Sequence, residues 1–325
     1  MPIGPNVGNI LVKFSMYKKL IEFGFNITII AQKMNIQKRI FDLSFIKRTI
    51  KSHLLIIKDG FSELKEDDYD FLILNSDQTW VCYDRKYFYD IAFLKFAKNW
   101  NIPKFIYGTS IGSDKWTFSR RDEKAAKKLL KNFIGISFRE NGLVRLAEEN
   151  LGLKGSLVLD PTLLIDKKFY LKEIKNFHSY INKNEKFIFI YQINKDPKLE
   201  KLYLELSEML HYKINKLELF ENNFIENFIF GISNCQAVIT DSYHGIIFSI
   251  IFNNPFISFI DSIEGKGRFD SLKEIFSIEN RIIDFLSLDK LDINLLLFPP
   301  NINNTLLEQH RNFSNNYLKK NLGML

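Results

Sequence analysis

VITDSYHGIIFSIIFNNPFISF, from Val238 to Phe259, is a strand, a helix and a second strand in one stretch. The β-branched run Ala237-Val238-Ile239-Thr240 has the makeup of a short buried strand. Asp241 and Ser242 are helix N-cap types. An apolar helical run from Ile246 to Phe252 follows and is closed by Asn253-Asn254-Pro255. Phe256 to Ile260 is a second buried strand. The first turn carries Asp241, Ser242, His244 and Gly245. Open α/β sheets bind ligands at that edge, beside the helix N-terminus. His244 therefore stands where a titratable imidazole can meet an anion. The plainer alternative is a capping Asp and Ser beside a structural His.

The same alternation runs through the rest of the chain. Ile10 to Phe23 is an amphipathic helix stopped by Gly24, and Asn26 to Ala31 a strand. Residues 32–66 look helical and basic. Tyr69–Leu74 is a buried strand running into Asn75-Ser76-Asp77-Gln78-Thr79-Trp80. Lys104–Tyr107 ends in Gly108-Thr109-Ser110-Ile111-Gly112. Phe133–Phe138 ends at Arg139-Glu140, and Leu157–Leu159 at Asp160-Pro161-Thr162. Helices are expected over Asp90–Asn99, Arg120–Asn132 and Asn141–Glu149 between these strands. Residues 166–185 are polar and irregular, as a linker would be. Phe187–Gln192 and a helix over Leu199–Leu210 open a second half, and Asn303–Leu322 is a terminal helix. The expected architecture is α/β with doubly wound parallel sheets, in domains spanning 1–165 and 166–325. Met1 to Pro5 is short for a strand, so the first strand is expected to be weak or truncated.

The chain has 325 residues, 46% of them hydrophobic, and a net charge of +7. That balance suits phosphates, anionic glycolipids or a membrane surface. There is no zinc-finger spacing or RNP-like motif, so nucleic acid is not the expected partner. Cys82 and Cys235 are far apart and lack metal spacing, which fits a reduced cytoplasmic protein. No signal-peptide pattern opens the chain and no apolar window spans a membrane. A soluble protein, or one peripheral to the membrane, is expected.

Three strand-end turns concentrate the polar chemistry. Arg139 has the planar fork that clamps a carboxylate or phosphate; the alternative is a structural ion pair with a nearby carboxylate. Asp77 and Gln78 suit ligand hydroxyls, or else cap the turn. Trp80 is either a stacking platform or core. Gly265-Lys266-Gly267-Arg268 reads as a basic loop able to cradle an anion, or as a solvated one. His53, His178, His211 and His310 lie in polar or helical contexts without a paired motif. No nucleophile elbow, HExxH, calcium loop or GxGxxG occurs.

LILNSDQTW resembles the "GSDQvW" signature of the polysaccharide pyruvyl transferase family. YGTSIG, ISFRENG, VLDPTLLI, VITDSYHGIIFSIIFNNPFI and GRFDSL follow in the family's order, over about residues 6–285. The resemblance implies two Rossmann-like domains arranged as in GT-B glycosyltransferases, with the site in the cleft between them. It implies transfer of a pyruvyl group from phosphoenolpyruvate, the co-substrate, to a sugar, usually as a ketal, in capsule, exopolysaccharide or cell-wall polymer synthesis. No other cofactor and no metal are expected. His244 falls on the family's catalytic His, and Arg139 on the Arg of its S-x-R-E motif, a donor contact. One branch has an Arg two residues before the His; here it is Ser242, as in the D-S-F-H-G branch. Arg268 is the candidate for the missing positive charge, with Ser242 and Gly245 at the donor. Asn9, Asn75, Asp77 and Gln78 would orient donor or acceptor. The basic, aromatic-rich surface is compatible with a lipid-diphosphate-linked acceptor at the inner membrane face. Competing readings are a GT-B glycosyltransferase using a nucleotide sugar and a catalytically degenerate glycan-binding protein.

Overall fold

Continuous apolar strands call for cover on both faces, and the chain supplies it with parallel sheets wrapped in helices. A computed structural model describes residues 7–32, 45, 49, 53–57, 61–82, 84–194, 196–218, 222–260, 266–284 and 291–325. Residues 1–6, where a weak first strand was expected, lie outside them.

In the first half, β1 (Ile29–Gln32) pairs in parallel with β2 (Leu54–Ile57). The β2 strand corrects the helical expectation for 32–66; much of that stretch lies outside the described residues. β3 (Leu72–Leu74) pairs with β4 (Lys104–Ile106), and β5 (Ser137–Phe138) with β6 (Ser156–Leu157), all in parallel. Single bridges Phe105–Gly135 and Thr109–Phe138 stitch β4 to the β5 segment. Helices α1 (Val7–Glu22), α2 (Phe88–Phe93), α3 (Arg120–Leu129) and α4 (Asn141–Leu151) accompany these strands. The helix expected over Asp90–Asn99 breaks at Leu94, whose φ is 47°. The expected linker contains α5 (Lys167–Glu173), capped by Asp166.

The second half is one five-stranded parallel sheet, ordered β11-β10-β9-β7-β8. Its strands are β7 (Phe187–Tyr191), β8 (Lys213–Lys216), β9 (Ala237–Thr240), β10 (Phe256–Ile260) and β11 (Ile282–Asp284). Between them run α6 (Pro197–Leu210), α7 (Phe224–Asn234), α8 (Tyr243–Phe252) and α9 (Lys266–Phe276), with α10 (Asn304–Asn321) last. Alternation sorts β7 cleanly: Ile188 and Ile190 face the α6 side, while Phe187, Phe189 and Tyr191 face the other. α8 is apolar on all sides and buried accordingly. It ends at Asn253, φ 56°, ahead of Asn254-Pro255.

Two helices tie the halves together. α1 packs against α7 and α8. It is therefore buried on nearly every face, not amphipathic. α10 returns to the first half: the Tyr317 hydroxyl donates to the Ile106 carbonyl at 2.7 Å, and Leu159 N–H donates to Ser314 Oγ at 2.9 Å. One buried cluster accordingly joins Phe105 and Tyr107 of the first half to Phe187 and Phe248 of the second.

Candidate active site

The polar strand ends of both halves converge. Asp77 follows β3, Ser110 follows β4, Arg139 and Glu140 follow β5, and Asp160 follows β6. His244 and Tyr243 enter from the turn after β9, Arg268 from α9, and Gly8, Asn9 and Lys13 from α1. Site residues at the carboxyl ends of parallel strands are what this architecture favours.

Asp160 is the junction. Its Oδ1 accepts from Thr162 N–H and hydroxyl, capping a short 3-10 turn. Its Oδ2 lies 2.9 Å from Arg139 Nη1 and 3.6 Å from His244 Nε2. Burial alone would raise the carboxyl pKa; His244 and Arg139 outweigh it and hold the group well below the usual carboxylate range. Arg139 Nη2 also reaches Asp77 Oδ1 at 3.5 Å, so the ion-pair alternative for Arg139 is realised. Its Nε stays buried without a partner.

Asp77 sits at φ 127°, a conformation most side chains avoid. Thr79 N–H and Ser110 N–H donate to its carbonyl, and Asn9 Nδ2 to its Oδ2 at 2.7 Å. Lys13 Nζ in turn donates to the Asn9 carbonyl and Oδ1. Burial lowers the Lys13 pKa to about 8, partly opposed by Asp77. A chain of contacts thus runs from Lys13 through Asn9, Asp77, Arg139 and Asp160 to His244.

Arg268 differs from Arg139. Both guanidiniums flank the Tyr243 ring, at 4.9 Å for Arg139 and 5.9 Å for Arg268. Yet Arg268 makes no ion pair or hydrogen bond among the described residues, and its Nε is sealed from solvent. Desolvation, then Arg139, pushes its pKa down. Glu140 stands nearby: Ser110 Oγ donates to its Oε1 at 2.9 Å while Oε2 has no partner. Burial raises the Glu140 pKa against the pull of Arg139.

Gly8 makes the site possible. A Cβ there would fall 1.9 Å from His244 Nδ1. No side chain but hydrogen leaves the imidazole where it is.

Other expected residues have different tasks. Gly245 is packed so closely that a Cβ would meet Thr240 Oγ1 at 2.1 Å, so glycine is what lets α8 start against β9. Ser242 is buried by the Tyr191 phenol and gives α8 no side-chain cap, so the helix N-terminus keeps its appetite for an anion. Asp241 accepts from Ile193 and Asn194 N–H, away from His244. Asn75 Oδ1 accepts from Ser76 N–H, and Gln78 packs on Gly112. Trp80 is core, its Nε1 donating to the Ala92 carbonyl. The expected Gly265–Arg268 loop is, from Lys266 on, the first turn of α9, and Gly267 N–H donates to Asp114. Asp160, Glu140, Lys13 and Gly8 were not singled out from sequence, although Asp160 and Glu140 stood at strand ends within the quoted motifs. Among the described residues no cluster of His, Cys, Asp and Glu could hold a metal.

The family model for polysaccharide pyruvyl transferase matches residues 6–262. The chain belongs to that family. Membership makes it a transferase acting in polysaccharide pyruvylation. No curated protein matches the chain. Among solved structures it is similar to UDP-GlcNAc 2-epimerase from Neisseria meningitidis bound to UDP-GlcNAc, at 11% identity and TM-score 0.53, over 95% of this chain and 96% of that one. UDP-GlcNAc 2-epimerase from Methanocaldococcus jannaschii is similar at 13% identity and TM-score 0.52, over 94% and 90%. At such identities the likeness establishes fold alone: the pyruvyl transferase is GT-B-like, with two Rossmann-like halves and a cleft between them. No helix among the described residues is long and apolar enough to cross a membrane.

Proposed function

We propose that this pyruvyl transferase moves the pyruvyl group of phosphoenolpyruvate onto two hydroxyls of a sugar as a cyclic ketal, releasing phosphate. One observation carries the reading: Arg268, its Nε buried and without an ion pair among the described residues, shares the ring of Tyr243, the neighbour of His244, with Arg139. A cation taken from water without a counter-charge is costly unless a ligand supplies one. Phosphoenolpyruvate brings a carboxylate and a phosphate, and the uncapped N-terminus of α8 adds a third attraction for anions.

The proton balance suits one imidazole. His244 protonates the methylene carbon as the first sugar hydroxyl bonds to C2. The neutral imidazole then takes that hydroxyl's proton. The C2–O bond to phosphate then breaks, phosphate keeping the bridging oxygen; the second hydroxyl bonds to C2 to close the ketal, and its proton departs with phosphate. Asp160 Oδ2 faces the ring at 3.6 Å from Nε2. Arg139, clamped by Asp160 and Asp77, positions that carboxylate and offers its remaining N–H groups to the donor. Asn9, Asn75 and Gln78 border the acceptor side.

Phosphate release from phosphoenolpyruvate with a diol-bearing glycan acceptor tests this. Parent protein should turn over and ignore UDP-sugars. His244→Ala should lose at least about a thousandfold in kcat. Turnover of a UDP-sugar instead would assign the glycosyltransferase reading, and full activity of His244→Ala would refute the role of the imidazole.

A further inference from the structure

The chain's positive charge is not spread evenly. Residues 120–131 hold six basic and two acidic residues, an excess of four in a chain of net charge +7. Helix geometry sharpens that excess. Arg120, Lys124, Lys127 and Lys131 recur at intervals of four, three and four, which places them on one face of α3 and its closing 3-10 turn. Lys128 borders them, and all five are exposed. None of the five pairs with a carboxylate among the described residues. The two acids are otherwise engaged: Asp122 is buried and holds Arg85 and Tyr89, and Glu123 accepts from Trp116 Nε1. The opposite face, with Ala126 and Leu130, is core. At the end of the stripe stands Ile134, 56% exposed. Gly135 abuts Asn321 of α10, which brings the exposed Met324 to the same end.

From this pattern we infer that the outer face of α3 is a docking surface for an anionic lipid bilayer. A row of unpaired cations along a helix, ending in bare aliphatic side chains, matches the negative headgroups and the acyl boundary of such a surface. Nucleic acid fits less well, because the stripe has no aromatic side chain for a base to stack on. The inference stands apart from the identity of the donor, since none of these residues belongs to the site around His244.

Flotation with vesicles tests it. The parent protein should float with phosphatidylcholine vesicles containing roughly one third phosphatidylglycerol, and stay down with pure phosphatidylcholine. Binding should fade in about 0.5 M salt. The triple variant Lys124→Glu, Lys127→Glu, Lys128→Glu should keep the parent's melting temperature and lose at least about tenfold in vesicle affinity. Ile134→Ser should weaken binding without changing its salt dependence. Equal flotation of triple variant and parent would overturn the inference, as would equal binding to neutral vesicles. Salt-sensitive binding to duplex DNA without vesicle binding would give the face to nucleic acid instead.

Discussion

At Asp160 two demands meet, because one carboxylate oxygen serves both Arg139 and His244. Its folded pKa is depressed, so its contribution to stability is complete above an unfolded pKa of about 4 and drains away as pH falls below that. Urea midpoints should therefore drop steeply in the parent below about pH 4 and more shallowly in Asp160→Asn. At neutral pH that variant should lose roughly 3 kcal/mol, since Arg139 keeps only Asp77 as a charged partner. Lys13 has the same sign of pH dependence in an alkaline window. Its pKa falls from 10.5 to about 8, so the unfolded chain binds the extra proton between those values and stability should rise with pH there. Lys13→Met should flatten that rise. His244 and Arg139 were legible in sequence because Arg139 follows a strand directly and His244 stands in the first turn of the helix that follows one. The roles of Asp160 and Lys13 were not, since Arg139 and His244, which Asp160 serves, and Asp77, which Lys13 faces through Asn9, lie far along the chain and only folding brings them together.

Among the elements, α1 and α8 set the site. Their close approach at Gly8 has a direct test: Gly8→Ala must push the imidazole aside. It should reduce kcat by at least about a hundredfold while the KM for donor changes little, as a small misplacement of a reacting group does. Wild-type kcat in that variant would contradict the placement of His244. Strands with continuous apolar runs, β3, β4, β7, β9 and β10, were readable from composition. β8 was not. It is Lys-Ile-Asn-Lys at a sheet edge, where few side chains are buried and charge guards the open backbone. α5 hid for a similar reason, since Tyr170 alone of its side chains is buried and no apolar stripe marks it. Arg268 was expected on a loop, because two glycines in three residues disguise the first turn of α9.

For the whole molecule, the two halves share one buried cluster, and α1 and α10 cross between them. Calorimetry should accordingly record one cooperative transition, and two well-separated ones would contradict a common core. Ser314→Ala, which strands the buried Leu159 N–H, should lower stability by roughly 1–3 kcal/mol although it lies far from His244. In the proposed function, Arg268, without an ion pair among the described residues, supplies the charge that meets an anionic donor. Titration of phosphoenolpyruvate into the parent and into Arg268→Met, followed by calorimetry, tests that most directly. Arg268 has no carboxylate to abandon, so the variant should stay folded. The parent is expected to bind and the variant to lose at least about tenfold in affinity. Equal binding by both, or a parent that binds UDP-GlcNAc and not phosphoenolpyruvate, would contradict the donor and its clamp.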